Sequence, residues 1–129
     1  MSPEVKTKWL TALRSGEYEQ GYGNLRRDHN NHKRFCPLGV LCDLAVKEGI
    51  TTESSVNEKT RNGDYIITLY DYDNIESVLP RSVRQWAALD FADPILKQPL
   101  LHRTGTITLL NDYYHCNFSE IADMIEEQL

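Results

Sequence analysis

Apolar residues recur at helical spacing from the start of the chain: Val5, Trp9, Leu10 and Leu13 fall on one face. Ser2-Pro3 reads as an N-cap followed by proline at the first helical position, and Gly16 fits the stop, so a helix is predicted over 3–15. From 17 to 34 the periodicity lapses. These residues are polar and contain glycine, and read as a long ordered loop with room for one short strand. Loops of this length in compact domains are often functional. Helical spacing resumes at Pro37, where Leu38, Leu41, Leu44 and Ala45 make a core stripe with Cys42 nearby. Asp43 projects from a different side, and Gly49 ends this second helix after Lys47.

The pattern changes between 51 and 72. Arg61-Asn62-Gly63-Asp64 is a hairpin turn signal, and residues Tyr65 to Tyr70 are rich in β-formers leading into the acidic turn Asp71-Tyr72-Asp73-Asn74. A hairpin around 52–72 follows. Leu79-Pro80-Arg81-Ser82 opens a third helix with Val83, Trp86 and Ala87 on one face. Pro94, Pro99 and Gly105 make 90–105 mostly irregular. A fourth helix is expected over 106–114 through Leu109, Leu110 and Tyr113. Asn117-Phe118-Ser119-Glu120 has the form of a capping box for the last helix, whose apolar face is Phe118, Ile121, Ala122, Ile125 and Leu129. No repeat, low-complexity tract or linker interrupts the chain. The reading is one α+β domain over 1–129, with about five helices and a small antiparallel sheet.

Composition narrows the function classes. At 129 residues, 40% hydrophobic and 26% charged, the chain fits an ordinary globular protein with a real core. A net charge of −5 and a pI near 5.3 argue against a dedicated duplex nucleic-acid binder, which needs a broad basic face. A local anion pocket is still compatible with that charge. No apolar run approaches the roughly 18 residues of a membrane span, and the opening Met1-Ser2-Pro3-Glu4 is not signal-peptide-like. Three cysteines without a secretion signal fit free thiols in a reducing cytosol. On a helix, Cys36 and Cys42 would point to different faces and make poor disulfide partners.

Candidate chemistry concentrates between Gln20 and Asp43. Backbone N–H groups at Gly21 and Gly23 would form an anion-accepting nest. Arg26, Arg27 and Arg34 would add charge-assisted hydrogen bonds, and Tyr22 or Tyr70 would stack on a base. The alternative is a surface turn with solvated charges, since Gly-x-Gly lacks both the dinucleotide and the Walker patterns. Cys36 offers a different chemistry. A thiol at a helix N-terminus near Lys33 and Arg34 would have a lowered pKa, and His29, His32, His102 or His115 would supply a base. Against this, cysteine is among the most buried residue types and behaves as a small hydrophobe. His29 and His32 with the cysteines would be metal ligands only without the usual paired CxxC spacing. Asp71 and Asp73 are ordinary turn residues, Asn111-Asp112 falls late in a helix where capping or a local hydrogen bond is expected, and Tyr113-Tyr114 reads as core and interface.

The chain resembles a group of small, largely uncharacterised proteins from bacteriophages and bacteria. The resemblance is carried by Trp9-x3-Leu13-x2-Gly16, Tyr18-x-Gln20-Gly21-x-Gly23-x-Leu25 and Phe35-Cys36-x-Leu38-Gly39-Val40-Leu41-Cys42-Asp43. It continues through Leu79-Pro80, Trp86, Leu110-Asn111-Asp112 and Phe118-x-Glu120-Ile121-Ala122-Asp123-x-Ile125, nearly the whole chain with the hairpin least similar. Relatives often carry a cysteine where this chain has Pro37, which weakens a vicinal-dithiol or metal reading. By analogy with similar phage proteins, the resemblance implies sequestration of a nucleotide immune signal or blockade of a host protein, in the bacterial host cytosol.

The expectation is therefore a non-enzymatic binder of a phosphate-bearing, nucleotide-type ligand, using Gln20, Gly21, Tyr22, Gly23, Arg26, Arg34, Cys36 and Tyr70. No cofactor, metal, duplex nucleic acid or membrane is expected, and the oligomeric state is open, including a site shared between two subunits. The rivals are a Cys36-dependent hydrolase or transferase, and a protein-binding inhibitor that uses the tyrosines and the acidic hairpin turn.

Overall fold

The computed structural model describes residues 1–59 and 66–129. In chain order the elements are α1 (Pro3–Arg14), β1 (Arg26–His29), α2 (Pro37–Lys47), β2 (Glu53–Lys59), β3 (Ile66–Tyr72), α3 (Arg81–Ala87), β4 (Ile95–Lys97), β5 (Thr104–Thr106), α4 (Ile107–Asp112) and α5 (Phe118–Gln128). The expected turn at Arg61-Asn62-Gly63-Asp64, and Tyr65 after it, lie outside the described residues.

Local chemistry explains the helix ends. The Ser2 hydroxyl accepts from the Val5 N–H at 3.4 Å, with Pro3 in the first turn where a missing N–H leaves nothing unpaired. At α5 the capping box is complete. The Asn117 side-chain oxygen accepts from the Glu120 N–H at 2.8 Å, and the Glu120 carboxylate accepts from the Asn117 N–H at 3.1 Å. Asn117→Ala is expected to lower stability by about 1 kcal/mol. A urea-denaturation midpoint equal to that of the native chain would contradict this cap assignment.

The helices close on one core. Trp9, Leu38, Leu41, Leu110, Ile121 and Ile125 are fully buried in it, and α1 packs on both α2 and α5. The indole N–H of Trp9 donates to the Pro37 carbonyl at 2.9 Å, so the largest core side chain keeps its one donor satisfied. None of the helices among the described residues is long and apolar enough to cross a membrane.

The larger sheet has the order β1-β3-β2, antiparallel throughout, with Arg26 opposite Tyr70 and Glu53 opposite Tyr72. The stretch 90–105 is mostly irregular, as expected, but the single small sheet of the sequence reading is one of two. Residues 95–106 form a second, two-stranded antiparallel sheet, β4 with β5. Its prolines bracket β4 without entering it, Pro94 just before and Pro99 in the connecting loop, where a missing donor is tolerated. Each strand is too short to print an alternating pattern. The Gln128 side-chain amide holds β4 in place, accepting from the Lys97 N–H at 2.8 Å and donating to the Lys97 carbonyl at 2.7 Å.

Candidate functional site

Strand β1 alternates buried and partly exposed residues, and so sends its two arginines to opposite sides. Arg26 turns inward. Its Nε and Nη2 donate to the two carboxylate oxygens of Asp28 at 2.9 and 2.8 Å, and Nη1 lies 3.3 Å from Glu53. The guanidinium sits 3.7 Å from the centre of the Tyr70 ring and 5.2 Å from that of Phe35. Burial pulls its pKa down, but its hydrogen bonds to Asp28 and the neighbouring charges more than offset this and raise it above the ordinary arginine value. Two residues expected to contact a ligand have partners within the protein. Arg26 is spent on a buried bidentate ion pair, and the Arg26 guanidinium covers a face of the Tyr70 ring that was to stack on a base.

Arg27 turns outward, and with Gly21, Tyr22, His29 and Arg34 it lines a cleft of about 240 Å³. Backbone pairing builds the walls. The Gly21 N–H donates to the Phe35 carbonyl at 2.8 Å, and the Arg27 N–H donates to the Arg34 carbonyl at 2.9 Å. Glycine is required at 21 because a Cβ there would lie 2.8 Å from the Arg34 Cβ. The Nε atoms of Arg27 and Arg34 are both buried without a hydrogen-bond acceptor among the described residues. Arg34 has a loose ion pair with Glu19 at 3.5 Å, whereas Arg27 has no carboxylate partner among the described residues. The Tyr22 ring stacks on His115, with centroids 5.0 Å apart and planes at 25°, and stays 43% exposed.

The expected backbone nest is corrected as well. The Gly21 N–H is taken by Phe35, and the Gly23 N–H donates to the Asp112 carboxylate at 3.1 Å. An acidic side chain of the protein itself thus occupies the anion position at Gly23. Gln20 is engaged too: its amide nitrogen donates to the Asn111 side-chain oxygen at 2.6 Å and to the Cys116 carbonyl at 2.8 Å. Fully buried Asn111 also donates to the Gly21 carbonyl at 2.9 Å. Asn111 and Asp112 make the expected local hydrogen bond, Asn111 Nδ2 donating to Asp112 at 2.7 Å, and in addition fasten the glycine loop to α4 over long range.

Cys36 is the N-cap of α2, its sulfur accepting from the Gly39 N–H at 3.4 Å. It borders a separate small cavity of about 110 Å³ shared with Gly23, Asn24, Thr108 and Asp112. The expectation of a lowered thiol pKa is reversed. Burial pushes it up to about 12, Asp112 and Asp93 push the same way, and the Gly39 and Leu38 hydrogen bonds only partly oppose them. Burial also raises the Cys42 and Cys116 thiols, and all three are free. At neutral pH, native protein treated with iodoacetamide is therefore expected to label far more slowly than urea-unfolded protein. Rapid, selective modification of Cys36 in the native state would contradict the buried, protonated thiol.

Of the residues singled out in the sequence as ligand contacts, the cleft brings together Gly21, Tyr22, Arg27 and Arg34. Gln20, Gly23, Arg26, Cys36 and Tyr70 do not line it. His29, read in the sequence only as a candidate base or metal ligand, joins it, and strand alternation is what separates Arg27 from Arg26, since neighbouring arginines on a strand cannot face one ligand. Among the described residues no group of three or more His, Cys, Asp or Glu converges as a metal site. No curated protein and no solved structure matches the chain. The model of the family DUF8296, a domain of unknown function, matches residues 1–129, and the chain belongs to that family.

Proposed function

We propose that the protein is a non-enzymatic binder of a phosphate-bearing, nucleotide-type ligand, held in the cleft of Gly21, Tyr22, Arg27, His29 and Arg34. The observation that carries this reading is the pair of buried guanidinium Nε atoms, on Arg27 and Arg34, with no acceptor among the described residues. A buried donor left unpaired is costly, and a phosphate oxygen satisfies it with a charge-assisted bond. The cleft, at about 240 Å³, has room for a phosphate and part of a sugar, leaving the base to lie against the exposed side of Tyr22. With the resemblance to phage proteins, the function is sequestration of an immune signalling nucleotide in a bacterial host cytosol.

The Cys36-dependent hydrolase or transferase draws no support from the geometry, because a buried thiol that keeps its proton is a poor nucleophile.

In calorimetry with the nucleotide that the native chain retains best, Arg27→Ala and Arg34→Ala are each expected to weaken binding by at least about 1.5 kcal/mol. Unchanged affinity in both variants would move the ligand out of this cleft.

A further inference from the structure

We infer that a second surface, the groove between the β4–β5 loop and α5, docks a cationic amphipathic segment of a partner protein. The groove is about 400 Å³, larger than the arginine cleft. Its apolar side is Pro99, Leu100, Leu101 and the largely buried Met124. Leu100 is 92% exposed and Leu101 59% exposed, an unusual presentation for adjacent leucines.

The loop that carries them is anchored on both sides. The Gln98 N–H donates to the Arg103 carbonyl at 2.7 Å, and Arg103 Nε donates back to the Gln98 side-chain oxygen at 2.7 Å. The Gln98 amide also reaches the Cys116 sulfur at 3.3 Å, and Gln128 holds Lys97. The leucines are thus held out by a fixed loop.

Charge selects the occupant. Glu120, Asp123 and Glu127 recur along one side of α5 and line the groove opposite the leucines. Asp123 pairs with Arg14 at 2.8 Å, but Glu120 and Glu127 have no cationic partner among the described residues. Arg103 is turned toward Gln98 and the Tyr114 ring, 4.1 Å from its centre, and neither it nor Lys97 lines the groove. An apolar floor with an acidic rim complements a helix that has aliphatic residues on one face and lysine or arginine at its flanks. The same rim repels anionic lipid headgroups and nucleotide phosphates. A two-fold contact between copies would bring like charges together.

The test uses the full chain and a short, labelled amphipathic peptide of leucine and lysine, followed by fluorescence anisotropy and by backbone amide NMR shifts. Controls are a leucine–glutamate peptide of equal length and phosphatidylglycerol vesicles. The expected result is saturable binding of the cationic peptide, with shifts confined to 98–101 and to the Glu120–Glu127 side of α5. Leu100→Ser with Leu101→Ser, on an exposed loop, should weaken binding at least about tenfold. Glu120→Gln with Glu127→Gln should weaken it and flatten its salt dependence, and glutamine preserves the capping box. The inference is overturned if the acidic peptide binds equally, if the shifts fall elsewhere, or if the leucine variant keeps full affinity. It is also overturned if the leucines drive self-association of the chain, or if only vesicles bind.

Discussion

Gly39→Ala is expected to leave the chain unfolded. A Cβ at that position would lie 1.7 Å from the Leu25 carbonyl oxygen and 2.6 Å from its carbon. Both are backbone atoms, so no rotamer change relieves the overlap. Leu25 is itself pinned: its N–H donates to the Glu76 carbonyl at 2.8 Å, its carbonyl accepts from the Cys36 N–H at 3.1 Å, and its side chain is fully buried. Relief would require α2 to lift away from the loop, pulling Leu38, Val40 and Leu41 from the core they fill. In an exposed helix interior the same substitution would stabilise by roughly 1 kcal/mol. Here the sign reverses, and a loss above about 4 kcal/mol is expected, a large part of a typical domain's total stability. Circular dichroism during a thermal or urea titration reads the outcome directly. A cooperative transition close to that of the native chain would contradict the contact between α2 and Leu25.

Arg26→Met is expected to cost about 3–5 kcal/mol, because it strands the buried Asp28 carboxylate without its bidentate partner. Glu53, 3.3 Å from Arg26 and nearer to solvent, is less affected. Methionine keeps most of the side-chain volume between Tyr70 and Phe35, so the loss reports the charge pair more than a cavity. Combining Arg26→Met with Asp28→Asn removes the stranded charge and should recover part of the loss. If the double variant is less stable than Arg26→Met alone, the stranded carboxylate is not the source. One residue along the same strand, Arg27→Ala should leave the urea midpoint nearly unchanged and act on ligand affinity. Adjacent arginines with opposite consequences are a direct reading of the alternation in β1.

Three helix starts were legible because a capping residue, with proline or a capping box beside it, precedes apolar periodicity: Ser2-Pro3, Cys36-Pro37 and Asn117 with Glu120 all stand where the chain predicts. The small sheet of β4 and β5 was hidden, since three-residue strands carry no period and its prolines read as breakers. The candidate site was legible as a segment and not as a set of contacts. Gly21, Tyr22, Arg27 and Arg34 do gather, but neighbouring Gln20 and Gly23 find their partners on α4 and at Cys116. Asn111 spends its amide on Gln20 and Gly21 across the fold, and no local spacing announces that. Composition likewise does not show that Asp112 takes the Gly23 N–H, or that burial outweighs the helix end and the nearby cations at Cys36.

The central claim is that the cleft of Tyr22, Arg27 and Arg34 holds a nucleotide without changing it. The most direct measurement incubates the purified protein with a panel of linear and cyclic nucleotides, passes the mixture through a size filter, heat-denatures the retained fraction and analyses both by HPLC. The account predicts a nucleotide that disappears from the filtrate, returns intact on denaturation, and passes the filter when Arg27→Ala or Arg34→Ala replaces the native chain. A nucleotide returned chemically altered, or a panel that passes through untouched, would contradict it.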